Sequence, residues 1–184
     1  MPDLNATAAS LLGFLHDGPK TGWDLQQAVE ASIGNFWNVT RSQVYRELKT
    51  LATAALVTAG KTGERDRVPY MITKAGKKAF AKWIGREPEA GIMRMPLVVT
   101  VFFGSHVDPA KLRKSLQAAR LEHETRRDGY VMVRPFVEEP FHRATLELGI
   151  ASEETWIKWL NGLPWITEDQ RLAETPARRT KARP

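Results

Sequence analysis

Apolar residues recur at helical spacing through the first third of the chain, and each run opens on a residue able to cap a helix. Ala8, Leu11, Leu12 and Leu15 form one stripe over residues 5–17, with Asn5 placed to cap it and Gly18-Pro19 to end it. A second run opens at Thr21, turns Leu25, Ala28 and Val29 inward, and stops near Gly34. The third, residues 40–55, sets Val44, Leu48, Leu51 and Ala55 on one face, with Thr40 as its N-cap. Arg46, Lys49, Thr50 and Thr53 fall on the other side, and Arg41, Ser42 and Gln43 occupy the first turn. One face therefore demands a core, while the other offers cations, hydroxyls and an amide, the groups that meet phosphates and base edges in a DNA major groove. A solvated amphipathic helix has the same pattern, so the surrounding chain has to decide. Between the second and third runs, the rings of Phe36 and Trp37 are expected to plug the top of the core.

The period then shortens. Residues 56–60 are β-prone, and residues 68–73 alternate, with Val68, Tyr70 and Ile72 on one side. Pro69 predicts that this second strand has a free edge, because proline cannot donate to a ladder. Residues 61–67 make a polar hairpin tip, where Arg65 or Arg67 is placed to enter a minor groove or bind phosphate. Any exposed tip can carry Arg. A hairpin directly after three such helices, however, is the wing of a winged helix-turn-helix. Thr73 caps a fourth helix, with Ala79, Phe80, Trp83 and Ile84 inward and Lys74, Lys77, Lys78 and Lys82 outward. The Gly, Pro and Glu of residues 85–91 then mark a linker.

Beyond the linker the pattern is helical throughout. Pro96 opens a short apolar helix too hydrophobic to be exposed on both sides, and Asp108-Pro109 opens a long one. Along the latter, Leu112, Leu116, Ala119, His123, Arg126, Tyr130 and Val133 form a heptad seam that is polar in its middle. After Pro135 and Pro140 a last long helix carries Leu146, Ile150, Ile157 and Leu160 on one seam and Phe141, Leu148 and Trp159 on another. Two apolar sides on so few helices predict contact with a second copy, hence a homodimer. Trp165-Ile166 is expected to dock, and the basic, Pro-containing end to be disordered. The expected fold is mostly α. A winged helix-turn-helix domain with a β-hairpin wing spans residues 1–85, a linker 86–91, a helical dimerisation domain 92–166, and a basic disordered tail 167–184.

Composition narrows the function. A hydrophobic fraction of 42% and a charged fraction of 26% are those of a soluble globular protein. The absence of cysteine excludes disulfides and thiolate metal sites. With neither a signal-peptide pattern nor an apolar span, the chain reads as cytoplasmic. Net charge is +6, and residues 41–82 hold ten basic groups against three acidic, enough to account for the whole excess. A polyanion partner at that segment is the natural inference, a solvated basic face the alternative.

An enzyme finds little support. His16, His106, His123 and His142 pair with no local carboxylate or metal-ligand motif, and no phosphate loop or nucleophile elbow occurs. His123 reads as a polar residue within the helix bundle. No catalytic residue, metal or cofactor is assigned. A winged helix that binds protein without reading DNA is the other alternative, and the lysines of residues 41–82 argue for phosphate instead. Trp156, Trp159 and Trp165 gather near the last helix. They are either core or the lining of an apolar pocket, with Trp156 and Trp159 the candidates to bind a small aromatic effector.

Three N-terminal stretches carry a family likeness. They are Leu11-Leu12-Gly13-Phe14-Leu15 with Gly18-Pro19 and Gly22-Trp23-Asp24-Leu25, then Ser42-Gln43-Val44-Tyr45-Arg46-Glu47-Leu48 through Leu51 to Leu56-Val57, then Tyr70-Met71-Ile72-Thr73 with Ala75-Gly76. Weaker likenesses lie at residues 97–104 and 146–151. Together they resemble the PadR-like transcriptional regulators of the longer kind. The resemblance implies a homodimer whose winged helices each read half of an inverted repeat, commonly a repressor released by a small effector. It places Arg41, Ser42, Gln43, Tyr45, Arg46 and Lys49 at the groove. Tyr45 reads equally as a structural ring or as one whose hydroxyl reaches phosphate. The chain departs from the family at Arg46, where Pro is usual, and in a wing poorer in Gly and Pro.

Overall fold

The computed structural model describes residues 4–63, 67–88, 91 and 94–167. The chain divides into two compact units, Met1–Ala90 and Gly91–Pro184.

In the first unit, local hydrogen bonding sets each helix start. α1 (Ala6–Phe14) begins where the Asn5 side chain accepts from the Ala8 N–H. α2 (Gly22–Ser32) and α3 (Arg41–Thr53) each begin with a capping box, Thr21 with Asp24 and Thr40 with Gln43. The residues preceding the Asn5 and Thr40 caps, Leu4 and Val39, are buried in the same core as Ala9 and Val44, the pairing of a hydrophobic staple. Leu11, Leu12 and Leu15 of the first turns, Leu25 and Val29 of α2, and Val44, Leu48 and Leu51 of α3 form that core. Val39 is the buried residue of the connection between α2 and α3, and Phe36 and Trp37, expected to plug the core, are exposed. Both rings lie in the exposed turn after α2, where the Phe36 and Trp37 N–H groups donate to the Ile33 carbonyl.

α3 ends two residues earlier than its apolar pattern predicts. The Leu56 N–H reaches the Leu51 carbonyl and the Ala55 N–H the Ala52 carbonyl, a Schellman closure that puts Ala55 at φ 55°. Ala55 is therefore exposed and outside the core face.

β2 (Val57–Ala59) pairs antiparallel with β3 (Pro69–Ile72), and β1 (Lys20–Thr21) pairs with the other side of β3. The order β1-β3-β2 makes β3 the central strand, so the free edge expected from Pro69 is not there. Pro69 stands first in the strand, opposite Thr21, and its carbonyl still accepts from the Gly60 N–H at 2.7 Å. α4 (Lys74–Ile84) starts at Thr73, whose hydroxyl accepts from the Gly76 N–H. A Cβ at Gly76 would lie 2.1 Å from the Leu56 carbonyl oxygen, so only glycine permits this approach. Ala79 is buried and Phe80 and Trp83 close the core edge, but Ile84, expected inward, is exposed in the last turn.

The second unit is helical. α5 (Pro96–Phe102) turns Leu97 and Val101 towards a small core and leaves Val98, Val99, Phe102 and the following Phe103 exposed. α6 (Pro109–Val133) and α7 (Pro140–Asn161) run antiparallel, since Arg120 meets Asn161, His123 meets Glu153 and Arg134 meets Glu147. Leu112, Leu116 and Leu160 are its buried centre, and Ile166 of α8 (Pro164–Thr167) packs onto them. The predicted seam holds from Leu112 to Tyr130, but Val133 is exposed. Its polar middle has partners. Glu153 is buried between His123, whose Nδ1 lies 2.5 Å from Oε2, and Arg126, 3.3 Å from Oε1. Phe141 and Leu148 of the second α7 seam stay exposed.

Candidate nucleic-acid interface

With Val44, Leu48 and Leu51 locked inward, α3 has no rotational freedom, and its other face lies open to solvent. Ser42 and Lys49 are exposed and hold no side-chain partner among the described residues. Arg41 sits over the Tyr45 ring, 5.6 Å from its centroid. Tyr45 is itself half-exposed, and its ring fills the space over Gly22, where a Cβ would lie 2.9 Å from the ring carbons. Tyr45 is thus structural on one side and accessible on the other.

Gln43 and Arg46 are less free than their positions suggest. The Gln43 Oε1 accepts from the Thr40 N–H at 2.8 Å and from its hydroxyl at 3.1 Å, leaving only the amide NH2 to donate outward. A bidentate contact to adenine needs the oxygen as well as the nitrogen. Arg46 pairs with its neighbour Glu47 at 3.3 Å, and the other oxygen of that buried carboxylate accepts from Asn5 Nδ2. This Asn5–Glu47 contact joins the start of α1 to the middle of α3, and nothing in the local sequence signals it.

Arg65 lies outside the described residues. Arg67 lies on the returning arm of the hairpin, where its carbonyl accepts from the Gly63 N–H, and its guanidinium stands over the Trp23 ring, 5.1 Å from the centroid. Next to Trp23, Asp24 has its carboxyl held below the usual range, chiefly by the Thr21 N–H, then by the Thr21 hydroxyl, with Arg67 and Lys20 adding attraction. Arg41, Tyr45, Gly22, Trp23 and Arg67 therefore form a continuous strip from the recognition helix to the wing arm. Trp23 carried no role in the sequence reading, although an aromatic residue in the first turn of a capped helix was a visible signal. The lysines at 74, 77, 78 and 82 are exposed along α4.

In the second unit, Trp156 stacks on His123, with ring centroids 5.4 Å apart and planes 9° from parallel, and meets Trp159 edge-on. Trp159, together with Thr155, Lys158, Gly162 and Leu163, lines an open depression in which Trp156 takes no part. Among the described residues no group of His, Asp and Glu is arranged to hold a metal ion, and no helix is long and apolar enough to cross a membrane.

Comparison with known proteins agrees with this architecture. Residues 11–82 match the transcriptional regulator PadR-like family, and residues 93–162 match the family described as virulence activator alpha C-term. A probable transcriptional regulator of Mycobacterium tuberculosis is 26% identical over 184 residues, covering 88% of this chain and 97% of that protein. The negative transcriptional regulator PadR of Bacillus subtilis is 30% identical over 80 residues, 42% of this chain and 44% of that one. Structures of B. subtilis PadR share the fold. The one in complex with operator DNA superposes with a TM-score of 0.71 at 20% identity, over 85% of this chain and 96% of that one. The one in complex with p-coumaric acid has a TM-score of 0.62 at 20% identity, over 86% and 94%. These relatives are regulators, not enzymes. The winged-helix unit thus belongs to the PadR-like family of transcriptional regulators, and the helical unit matches the virulence activator alpha C-term family.

Proposed function

We propose that this protein is a homodimeric repressor, in which each winged helix reads half of an inverted-repeat operator and a small aromatic effector releases the DNA. The observation that carries the reading is the outer face of α3. Its inner side is committed to the core, while Arg41, Ser42 and Lys49 face water without an ion-pair partner among the described residues. Unpaired cations on a rigid helix need shed no protein carboxylate before binding phosphate, and they release counterions when they do. Repression is supported by the B. subtilis relative, a negative regulator whose structure has been solved on operator DNA. The exposed Phe102, Phe103, Phe141 and Leu148 support the dimer, since large apolar side chains left to solvent in one helical unit suit burial against a second copy. The effector would lie against Trp159 in its open depression, by analogy with the p-coumaric acid bound to B. subtilis PadR.

Footprinting of the DNA upstream of the protein's own gene, with affinity measured across salt concentrations, tests the proposal. Two protected half-sites about one helical turn apart are expected. Lys49→Ala should weaken all duplexes and reduce the salt slope by about 1. A flat salt response would overturn the DNA reading in favour of a protein-binding winged helix.

A further inference from the structure

Trp23 is an exposed indole in the first turn of α2, and the core makes no use of it. It lies on a side-chain path that connects the hairpin arm to α3, since Gly22 beside it is covered by Tyr45 and Arg67 stands over its ring. Asp24 is the acidic residue beside Trp23, and its Oδ2 is committed to the Thr21 N–H at 2.9 Å and the Thr21 hydroxyl at 2.7 Å. It draws Arg67 through space without engaging its N–H groups. A guanidinium lying on an aromatic face keeps its in-plane N–H edge available, and that edge matches a phosphate. The arm is fixed as well, by the Gly63 N–H on the Arg67 carbonyl at 2.8 Å and by the pairing of Pro69 with Thr21.

We propose that Trp23 is a positioning residue for DNA binding: its indole holds the Arg67 guanidinium against the start of α2, so that the wing arm presents a phosphate-binding edge in line with Arg41 and Tyr45 of α3. The inference rests on the DNA-binding reading above and adds to it the device that couples wing to recognition helix. A long, flexible Arg side chain loses much rotamer freedom when it binds phosphate, and a ring that restrains it beforehand reduces that loss.

The test uses the full chain, with Trp23→Leu, Trp23→Phe, Arg67→Ala, Arg67→Lys and the Trp23→Leu/Arg67→Ala double variant, titrated with operator and random duplexes at several salt concentrations. Arg67→Ala should weaken binding to both duplexes roughly threefold or more and lower the salt slope by about 1. Trp23→Leu should reproduce about half or more of that loss, while Trp23→Phe, which keeps an aromatic face, stays within about twofold of the parent protein. The double variant should bind no worse than Arg67→Ala alone, because the indole acts only through the cation. Arg67→Lys leaves the indole untouched and keeps the charge, and it too should lose affinity, since an ammonium neither stacks nor forks. Thermal melts confirm that the Trp23 variants are folded. Parental affinity in Trp23→Leu, additive losses in the double variant, or no loss in Arg67→Ala would each overturn the inference while leaving DNA binding intact. A parent protein that binds no duplex would overturn the functional reading instead.

Discussion

Gln43 sits in the first turn of α3, the turn proposed to face DNA, and its geometry predicts that stability and binding respond in opposite directions to a single added charge. Its Oε1 accepts the Thr40 N–H at 2.8 Å, closing the capping box at the start of α3. Gln43→Ala removes that acceptor. The box is exposed, so water partly replaces it, and the loss is about 0.5–1 kcal/mol. For a unit of this size that corresponds to a melting shift of roughly 2–8 °C downward. Gln43→Glu keeps the acceptor and places a negative charge at the positive end of the helix, worth about 0.3–1 kcal/mol in the stabilising direction. The same variant loses the outward NH2, about 1 kcal/mol of hydrogen bonding to DNA. It also sets a carboxylate facing phosphates, costing about 0.5 kcal/mol at ~8 Å in water. Together these make binding about tenfold weaker on every duplex. Thermal denaturation followed by circular dichroism gives the first quantity, and fluorescence anisotropy with labelled duplexes gives the second. A Gln43→Glu protein that melts as low as Gln43→Ala would refute the capping assignment. One that binds DNA as tightly as the parent would remove Gln43 from the interface.

Two further outcomes follow from the packing. Ala55→Gly should raise stability by about 0.5–1 kcal/mol, because Ala55 closes α3 at φ 55°, where an L side chain is strained; a lower melting temperature would contradict this. Glu153→Ala should cost about 2–3 kcal/mol in urea denaturation, since it leaves the buried side of His123 without its carboxylate partner while Arg126 keeps Glu122 at 3.3 Å, whereas Glu153→Gln keeps the shape and should cost less. If Glu153→Ala lies within about 1 kcal/mol of the parent, the cluster is solvated, not buried.

The likeness between the sequence reading and the structure is greatest where the determining forces are local. Asn5, Thr21, Thr40, Thr73 and Asp108 each cap the helix expected of them, because the amides they satisfy lie within three residues. The inward set of α3 follows in the same way from spacing, since only one side of a helix can face the core. The same spacing puts Lys49 on the outer side, Arg41 and Ser42 stand in the first turn, and all three are exposed.

The features that the sequence leaves illegible are contacts set by distant parts of the chain. A two-residue strand has no periodicity to read, so β1 was invisible, and without it β3 looked like an edge. Apolar character alone assigns Phe36 and Trp37 to the core, but the turn after α2 leaves both rings exposed and buries Val39 instead. The partner of Glu47 is 42 residues away and that of His123 is 30 away. The chain's own amino acids determined which helices form and which face of α3 turns outward, because capping and periodicity act over one or two turns. Only the tertiary structure decided which outward groups are free. Gln43 is partly spent on a cap, Arg46 is held by Glu47, and Arg67 lies on Trp23, because charged and aromatic side chains settle on whatever surface the folded backbone brings within reach.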